Sequence, residues 1–162
     1  MYAQSLLQPR LYFSYSQFFV YDSVVKAPGC LWTDAHSAQG FARRESVISF
    51  GTLLEFGFAD VYFHRGPFQP REAYERVIAV PFVIFTGKVM VDGPEEIKIG
   101  RAIELPVGNY QIVAAQRVVG DDEELIDLFV DKLEEPLWSS KIIVADAMLN
   151  PAFQLVESAE VA

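Results

Sequence analysis

Carboxylates dominate one short stretch of the chain, residues 120–135, which reads GDDEELIDLFVDKLEE. The stretch contains eight acidic side chains and one lysine, with large apolar residues between them. Clustered carboxylates suit a solvated protein edge, a site for a hard cation such as calcium, or a surface that meets a positively charged partner. The local chemistry leaves all three open. The acidic residues are Asp121, Asp122, Glu123, Glu124, Asp127, Asp131, Glu134 and Glu135.

The calcium alternative receives limited support from the spacing of these acids. Calcium takes six to eight oxygen ligands, which loops supply at alternating positions. The run Asp121–Glu124 is continuous instead, so its side chains point in different directions. The sequence therefore predicts no metal site here, although a calcium-binding sandwich stays as an alternative.

The residues that commonly carry catalysis are sparse. The two histidines, His36 and His64, do not form a metal-binding motif such as H-x-H or H-E-x-x-H. The single cysteine, Cys30, follows a glycine and has no cysteine partner. No nucleophile elbow or phosphate-binding glycine loop occurs. The sequence predicts a protein that is not an enzyme and that uses no cofactor.

Composition bounds the class of protein. The chain has 162 residues, 51% of them hydrophobic, which fits one globular domain with a sizeable core. It has no apolar run long enough to cross a membrane, and its N-terminus lacks the features of a secretory signal. One cysteine permits no internal disulfide. These features predict a cytoplasmic protein without a membrane segment.

The net charge of −9 is concentrated in one part of the chain. Residues 92–135 hold twelve acidic and four basic residues, whereas residues 1–91 are nearly balanced. Binding to nucleic acid needs Lys and Arg to contact phosphates, so direct nucleic-acid binding is not expected. A basic protein surface is the better partner, because complementary fields speed and select encounters.

The elements that must position these residues read mostly as strands. Period-2 alternation over residues 11–22 predicts one long strand, and Thr33 predicts an N-cap for a helical turn at Ala35–Gln39 that ends at Gly40. Short strand-like runs separated by turn residues follow and predict an all-β, antiparallel β-sandwich. We expect one domain over residues 1–150 and a frayed tail over 151–162. The later runs are Ser46–Phe50, Leu54–Phe63, Glu75–Phe85, Lys88–Val91, Ile97–Glu104, Tyr110–Val119 and Lys141–Ala147.

The acidic stretch fits either a strand or a helix. As a strand, Ile126, Leu128 and Val130 alternate with polar or aromatic residues. As a helix, an apolar stripe appears at i, i+3, i+4 and i+8, and the leading acids favour the helix N-terminus. Pro136 ends both versions. The stripe favours a helix in this segment, formed by Leu125, Leu128, Phe129 and Leu133.

Aromatic residues define a further alternative. Trp138 follows the acidic stretch, where it suits an exposed binding anchor or a lid over the core. A small-ligand or carbohydrate-binding sandwich would use exposed aromatics from the set Tyr62, Phe68, Tyr74 and Trp138.

A set of segments, in this order, resembles the competence protein J family from about residue 12 to residue 148. W-T-D followed closely by G-F-A is the most specific part of the resemblance. The resemblance implies a small cytosolic protein that binds a nuclease and blocks it. The segments are Phe13–Phe18, Trp32–Asp34, Gly40–Ala42, Val47–Phe50, Val80–Phe82, Leu105–Gln111 and Ile142–Ala147.

The resemblance supplies no set of inhibitory residues, so the predicted partner-binding surface rests on charge. A nuclease presents a basic groove to phosphates, and an inhibitor can place carboxylates where those phosphates would lie. We therefore predict that the eight acids of residues 120–135, together with Trp138, contact a nuclease.

Overall fold

The computed structural model describes residues 5–97 and 101–162, and over these residues the regular secondary structure is almost entirely β-strand. Within this range the helix is a short one, α1 (Asp34–Gln39). The strands are β1 (Ser5–Leu6), β2 (Leu11–Phe13), β3 (Gln17–Asp22), β4 (Cys30–Leu31), β5 (Phe41–Arg44), β6 (Val47–Gly51), β7 (Gly57–Arg65), β8 (Arg76–Ile84), β9 (Lys88–Asp92), β10 (Ala102–Glu104), β11 (Gly108–Gly120), β12 (Glu123–Leu133), β13 (Lys141–Val144) and β14 (Glu160–Val161).

The described strands form two main sheets and one small pairing. The seven-stranded sheet has the order β1-β7-β12-β11-β8-β13, with β2 also paired to β7. The five-stranded sheet has the order β10-β9-β3-β6-β5, and β14 pairs with β4. This confirms the all-β, sandwich-like fold. One pairing departs from the antiparallel prediction, because β12 runs parallel to β7.

The core lies between the two main sheets and uses alternate residues of their strands. Successive side chains of a strand point to opposite faces, so residues at i, i+2 and i+4 can enter one core. Both sheets contribute large side chains with no more than 2% of their surface exposed, which include Phe13, Phe18, Phe50, Ile78, Val80, Phe82, Ile112, Ile126 and Leu128.

The helix predicted for the acidic segment is wrong, because residues 123–133 form strand β12. Ile126, Leu128 and Val130 enter the main core, whereas Phe129 points to the other face and packs against Phe68. Both faces of the strand are covered, so apolar residues occur at both parities. That mixture produced a helix-like stripe in a segment whose backbone pairs with two neighbouring strands.

The single strand predicted over residues 11–22 is two strands that belong to different sheets. β2 pairs with β7, and β3 pairs with β6 and β9. Tyr15 and Ser16 form the turn between them with φ values of 55° and 57°. A turn of two residues keeps the parity of the alternation, so the pattern continues across the break.

The predicted helical turn is confirmed, with its caps. Thr33 is the N-cap of α1, and its backbone N–H donates to Nδ1 of His36 at 3.0 Å. Gly40 ends the helix with φ 85°, a left-handed conformation that glycine adopts readily. In the described residues no helix has the length and apolar character needed to cross a membrane.

The C-terminal segment crosses α1 and the edge of the five-stranded sheet. The side chain of Gln39 donates to the carbonyl of Val156 at 2.9 Å and accepts from its N–H at 2.8 Å. Arg43 pairs with Glu157 at 2.9 Å. The tail for which the sequence predicts fraying is thus hydrogen-bonded to the body of the domain. Of the predicted strand 97–104, β10 occupies 102–104, and residues 98–100 lie outside the described residues.

Gly57 provides a test of how tightly the ends of β7 and β12 are packed. A Cβ atom at this position would lie 2.2 Å from the carbonyl oxygen of Asp122. We expect Gly57→Ala to lower the free energy of unfolding by about 1–3 kcal/mol, because backbone atoms must move apart. Urea denaturation measures this loss.

The matched control for Gly57→Ala is Gly66→Ala. Gly66 also has a positive φ, 104°, but a Cβ there would meet nothing within 4 Å. The difference between the two variants reports the clash with Asp122. Equal losses of unfolding free energy would contradict the close approach.

Candidate partner-binding site

Strand β12 divides the acidic stretch into two separate ends. Asp121 and Asp122 lie in the turn before the strand, and Glu134 and Glu135 follow its last residue. A strand rises about 3.3 Å per residue, so the two pairs lie roughly 35 Å apart. Trp138, with 79% of its surface exposed, follows the second pair. The eight carboxylates therefore do not form one continuous surface.

Asp127 is a correction to the predicted surface, because only 4% of it is exposed. It lies under the segment that joins β7 to β8. One carboxylate oxygen lies 2.8 Å from Nε2 of His64, and the other accepts from the hydroxyl of Tyr74 at 2.6 Å. Burial, with this carboxylate, raises the pKa of Tyr74 above its ordinary range. Asp127 supports packing on the outer face of the sheet.

Glu124 is the second correction, because its side chain is fully buried. Its Oε2 accepts from the N–H of Leu54 at 2.8 Å. Its Oε1 and the Oε1 of Gln116 are both buried without a hydrogen-bond partner among the described residues. Burial raises the pKa of Glu124 from 4.5 to about 7, although hydrogen bonds and the charge of Arg76 oppose the rise. Through its bond to Leu54, Glu124 holds the loop after β6 in place from the interior of the protein.

Glu123 and Asp131 are partly exposed, but neither is an open acidic group. Glu123 accepts from Arg10 at 2.6 Å, and the same guanidinium contacts Asp60 at 3.1 Å. The guanidinium also lies 5.6 Å from the centre of the Phe58 ring. Burial raises the pKa of Asp131. The remaining acids of the predicted surface are the exposed pairs at the two ends of β12.

Three loops meet at the end of the sandwich that carries Asp121 and Asp122. The N–H of Ser16 donates to the carbonyl of Glu55 at 2.8 Å, and the N–H of Thr52 donates to the carbonyl of Ser16 at 2.9 Å. The N–H of Phe58 donates to the carbonyl of Asp122 at 2.9 Å. We call this surface the loop end; its residues are 15–16, 52–58 and 121–122.

The loop end contains strained backbone. Tyr15, Ser16 and Asp122 are the non-glycine residues with positive φ in the described part of the chain, and all three lie here. Positive φ is unusual for a tyrosine, and it persists only where surrounding contacts impose it. The surrounding contacts therefore hold the backbone of these three residues in a defined conformation.

Exposed aromatic and acidic side chains occur together at the loop end. Tyr15, Phe56 and Phe58 have 73%, 51% and 46% of their surface exposed. Glu55, Asp121 and Asp122 are exposed as well, and within the described residues they form no ion pair. Large exposed aromatics beside unpaired charge are typical of protein-binding surfaces. The sequence analysis missed the three aromatics because it placed them inside predicted strands.

The other end of β12 carries a more balanced charge. Glu134 and Glu135 lie near Lys132, which is also exposed. The carbonyl of Trp138 accepts from the guanidinium of Arg43 at 3.3 Å. Basic groups thus accompany this acidic pair. Arg10, beside Phe58 of the loop end, is already paired with Asp60 and Glu123, so the loop end is the more strongly acidic of the two surfaces.

The described residues offer little to the alternative functions. No group of three or more His, Cys, Asp and Glu side chains there could hold a metal ion. Burial raises the pKa of the Cys30 thiol, which keeps it protonated. Phe68 packs edge-on against Phe129 at 5.2 Å and tilts against Tyr74 at 6.1 Å. These two aromatics cover the outer face of the sheet.

Comparison with protein-family models gives a match to competence protein J (ComJ) over residues 10–137. The match spans most of the chain and includes every residue of the loop end. The chain belongs to the competence protein J family. Residues 138–162 lie beyond the matched segment. They form β13 and the C-terminal strap, which is the segment after β13 that crosses α1 and β5.

Two solved structures share the fold of this family member. The crystal structure of ComJ from Bacillus subtilis, described as an inhibitor of the DNA degrading activity of NucA, matches with a TM-score of 0.71 and 22% identity, over 82% of this chain and 99% of that chain. The crocagin biosynthetic gene J protein matches with a TM-score of 0.50 and 11% identity, over 78% and 97% of the two chains. Comparison with curated protein sequences gave no match.

The raised pKa of Glu124 predicts a pH-dependent stability. A carboxyl group with pKa 4.5 when unfolded and about 7 when folded binds its proton more tightly in the folded state. The contribution of this group to the free energy of unfolding is therefore fully present below pH 4.5 and is lost as the pH rises through 7. The loss amounts to about 3 kcal/mol above pH 8.

We expect Glu124→Gln to remove this loss. The amide can still accept from Leu54 and can donate to the unpartnered oxygen of Gln116. Thermal unfolding should show a higher melting temperature than the unmodified protein at pH 8, and a much smaller difference at pH 5. Glu134→Gln, at an exposed position, serves as the control. A Glu124→Gln effect that does not change with pH would contradict the assignment.

Proposed function

We propose that this chain is a non-enzymatic inhibitor of a bacterial DNA-degrading nuclease. Membership of the competence protein J family carries this proposal. The fold match to ComJ, whose description names it as an inhibitor of NucA, supports it. The single cysteine, which excludes an internal disulfide, supports action in the reducing cytoplasm.

The loop end is the surface that we assign to the nuclease. A nuclease binds DNA through a basic groove, because the phosphates must be neutralised. Asp121, Asp122 and Glu55 would occupy positions that DNA phosphates otherwise take. Their field also speeds association with a positively charged partner.

The exposed aromatics supply the affinity that surface charge alone does not. Aromatic side chains that become buried at the centre of an interface are frequent hot spots, whereas exposed charge pairs contribute little. Tyr15, Phe56 and Phe58 are exposed on the same joined loops as the acidic residues of the loop end. Backbone hydrogen bonds from Ser16 to Glu55 and from Phe58 to Asp122 join their loops, which reduces the entropy lost on binding.

The two ends of β12 can be distinguished by matched neutralisations. We expect Asp121→Asn with Asp122→Asn to weaken inhibition at least about tenfold at low salt, because the steering charge is lost. The salt dependence of inhibition should also become shallower. Asn tolerates the positive φ of residue 122, so the fold is preserved. The assay is a titration into the DNA-degrading nuclease encoded nearest to the gene of this chain.

Glu134→Gln with Glu135→Gln removes the same charge from the other end of the strand and is the control. It should leave inhibition within about twofold of the unmodified protein, as expected for charges outside the interface. A larger loss of inhibition for this pair than for Asp121 and Asp122 would place the interface at the Glu134 end of β12 and contradict the assignment of the loop end. Absence of inhibition by the unmodified protein would contradict the inhibitor function itself.

A further inference from the structure

A pocket of about 620 Å³ opens beside the loop end. Tyr15 and Glu55 of the loop end line it, together with Trp32 and Arg76. The pocket is therefore continuous with the surface assigned to the nuclease. Glu55 and Arg76 are the two charged residues of its lining.

The charge of Arg76 is already matched inside the protein. Its Nε and Nη2 contact the two carboxylate oxygens of Asp146 at 2.7 and 3.2 Å, and its Nη1 donates to the carbonyl of Gly51 at 3.0 Å. Although burial opposes it, this pairing holds the pKa of Asp146 below its usual range. Glu55 has no such partner among the described residues, so the pocket carries a net negative field.

Two aromatic side chains also line the pocket. The indole N–H of Trp32 donates to Oγ of Ser49 at 3.0 Å, and that hydroxyl donates to Gln17 at 2.7 Å, which fixes the ring. Tyr15 stands at the rim with most of its surface exposed. Aromatic rings beside a carboxylate favour a cation with an apolar stem, through cation–π contact and the ion pair together.

We propose that this pocket receives a lysine or arginine side chain of the nuclease. The proposal rests on the proposed function and names what the same surface recognises. Glu55 pairs with the charged group, and Tyr15 and Trp32 contact the stem. A carboxylate or phosphate at the same position would meet the charge of Glu55 while the guanidinium of Arg76 stays engaged with Asp146.

Small probes test the pocket without the nuclease. The two tryptophans give two indole N–H signals in a ¹⁵N-labelled sample; Trp32 lines the pocket and Trp138 does not. We expect n-butylguanidinium to shift the Trp32 signal in a saturable way while the Trp138 signal stays in place. Butyrate, its anionic counterpart, should shift neither. Saturable binding of butyrate, or equal shifts of both tryptophans by the guanidinium probe, would overturn the proposal.

Inhibition assays test the pocket in the complex. Glu55→Gln removes the charge, and Tyr15→Asn removes the ring while tolerating the positive φ of this residue. Each should weaken inhibition at least about tenfold, with thermal unfolding confirming the fold. Glu135→Gln, a matched charge removal at the distant end of β12, should not. Undiminished inhibition by Glu55→Gln and Tyr15→Asn would overturn the pocket proposal while leaving the inhibitor function intact.

These two readouts separate failure of the pocket from failure of the proposed function. If the unmodified protein inhibits no nuclease, the inhibitor function fails, and the probe titration still decides whether the pocket selects cations. If the protein inhibits the nuclease strongly but butyrate, and not n-butylguanidinium, binds the pocket, the inhibitor function stands and the assignment of a cation to the pocket is wrong.

Discussion

The double pairing of strand β12 decides the position of every carboxylate in the acidic segment. Its backbone hydrogen-bonds to β11 on one side and, in parallel, to β7 on the other. A strand held on both edges must place alternate side chains on opposite faces, and both faces of this sheet are covered. Glu124 and Asp127 are therefore buried, and the open acids are left in the flanking turns. A run that reads as one acidic surface becomes two surfaces at opposite ends of the sandwich.

The loop end stands on a buried polar network that connects the two sheets. Gly51, at the end of β6, accepts from Arg76 of β8 and from Gln116 of β11, each at 3.0 Å. Glu124 of β12 accepts from Leu54 in the loop above. These hydrogen bonds between buried groups restrict the local geometry, although one oxygen each of Gln116 and Glu124 has no partner among the described residues. The exposed aromatics of the loop end are thus carried by a framework that resists rearrangement, which suits an inhibitor that binds without large conformational change.

The segment beyond the family match supports the edge of the seven-stranded sheet and helix α1, and it also supplies Met148 to the lining of the pocket and Asp146 to its Arg76. β13 pairs with β8 and covers an edge of the seven-stranded sheet, and the strap that follows binds α1 and β5 through Gln39 and Arg43. Covering a sheet edge protects its unpaired backbone groups from another chain. The loop end lies wholly within the matched residues, whereas the pocket beside it also takes Met148 from the segment beyond them.

Local chemistry in the sequence was sufficient to predict the β-class, the capped turn at Thr33–Gly40 and the acidic character of the protein. The period of two, the capping residues and the charge are local properties, and the ordered family segments added the nuclease hypothesis. Which acids are exposed depended on the position of β12 between β7 and β11. The register of a strand, and the residues that cover its two faces, are set by parts of the chain that a local pattern does not include. The turn at Tyr15 and Ser16 was hidden because it preserves the alternation. Only the tertiary structure brought Tyr15, Phe56 and Asp122 together, since long-range hydrogen bonds join their three loops.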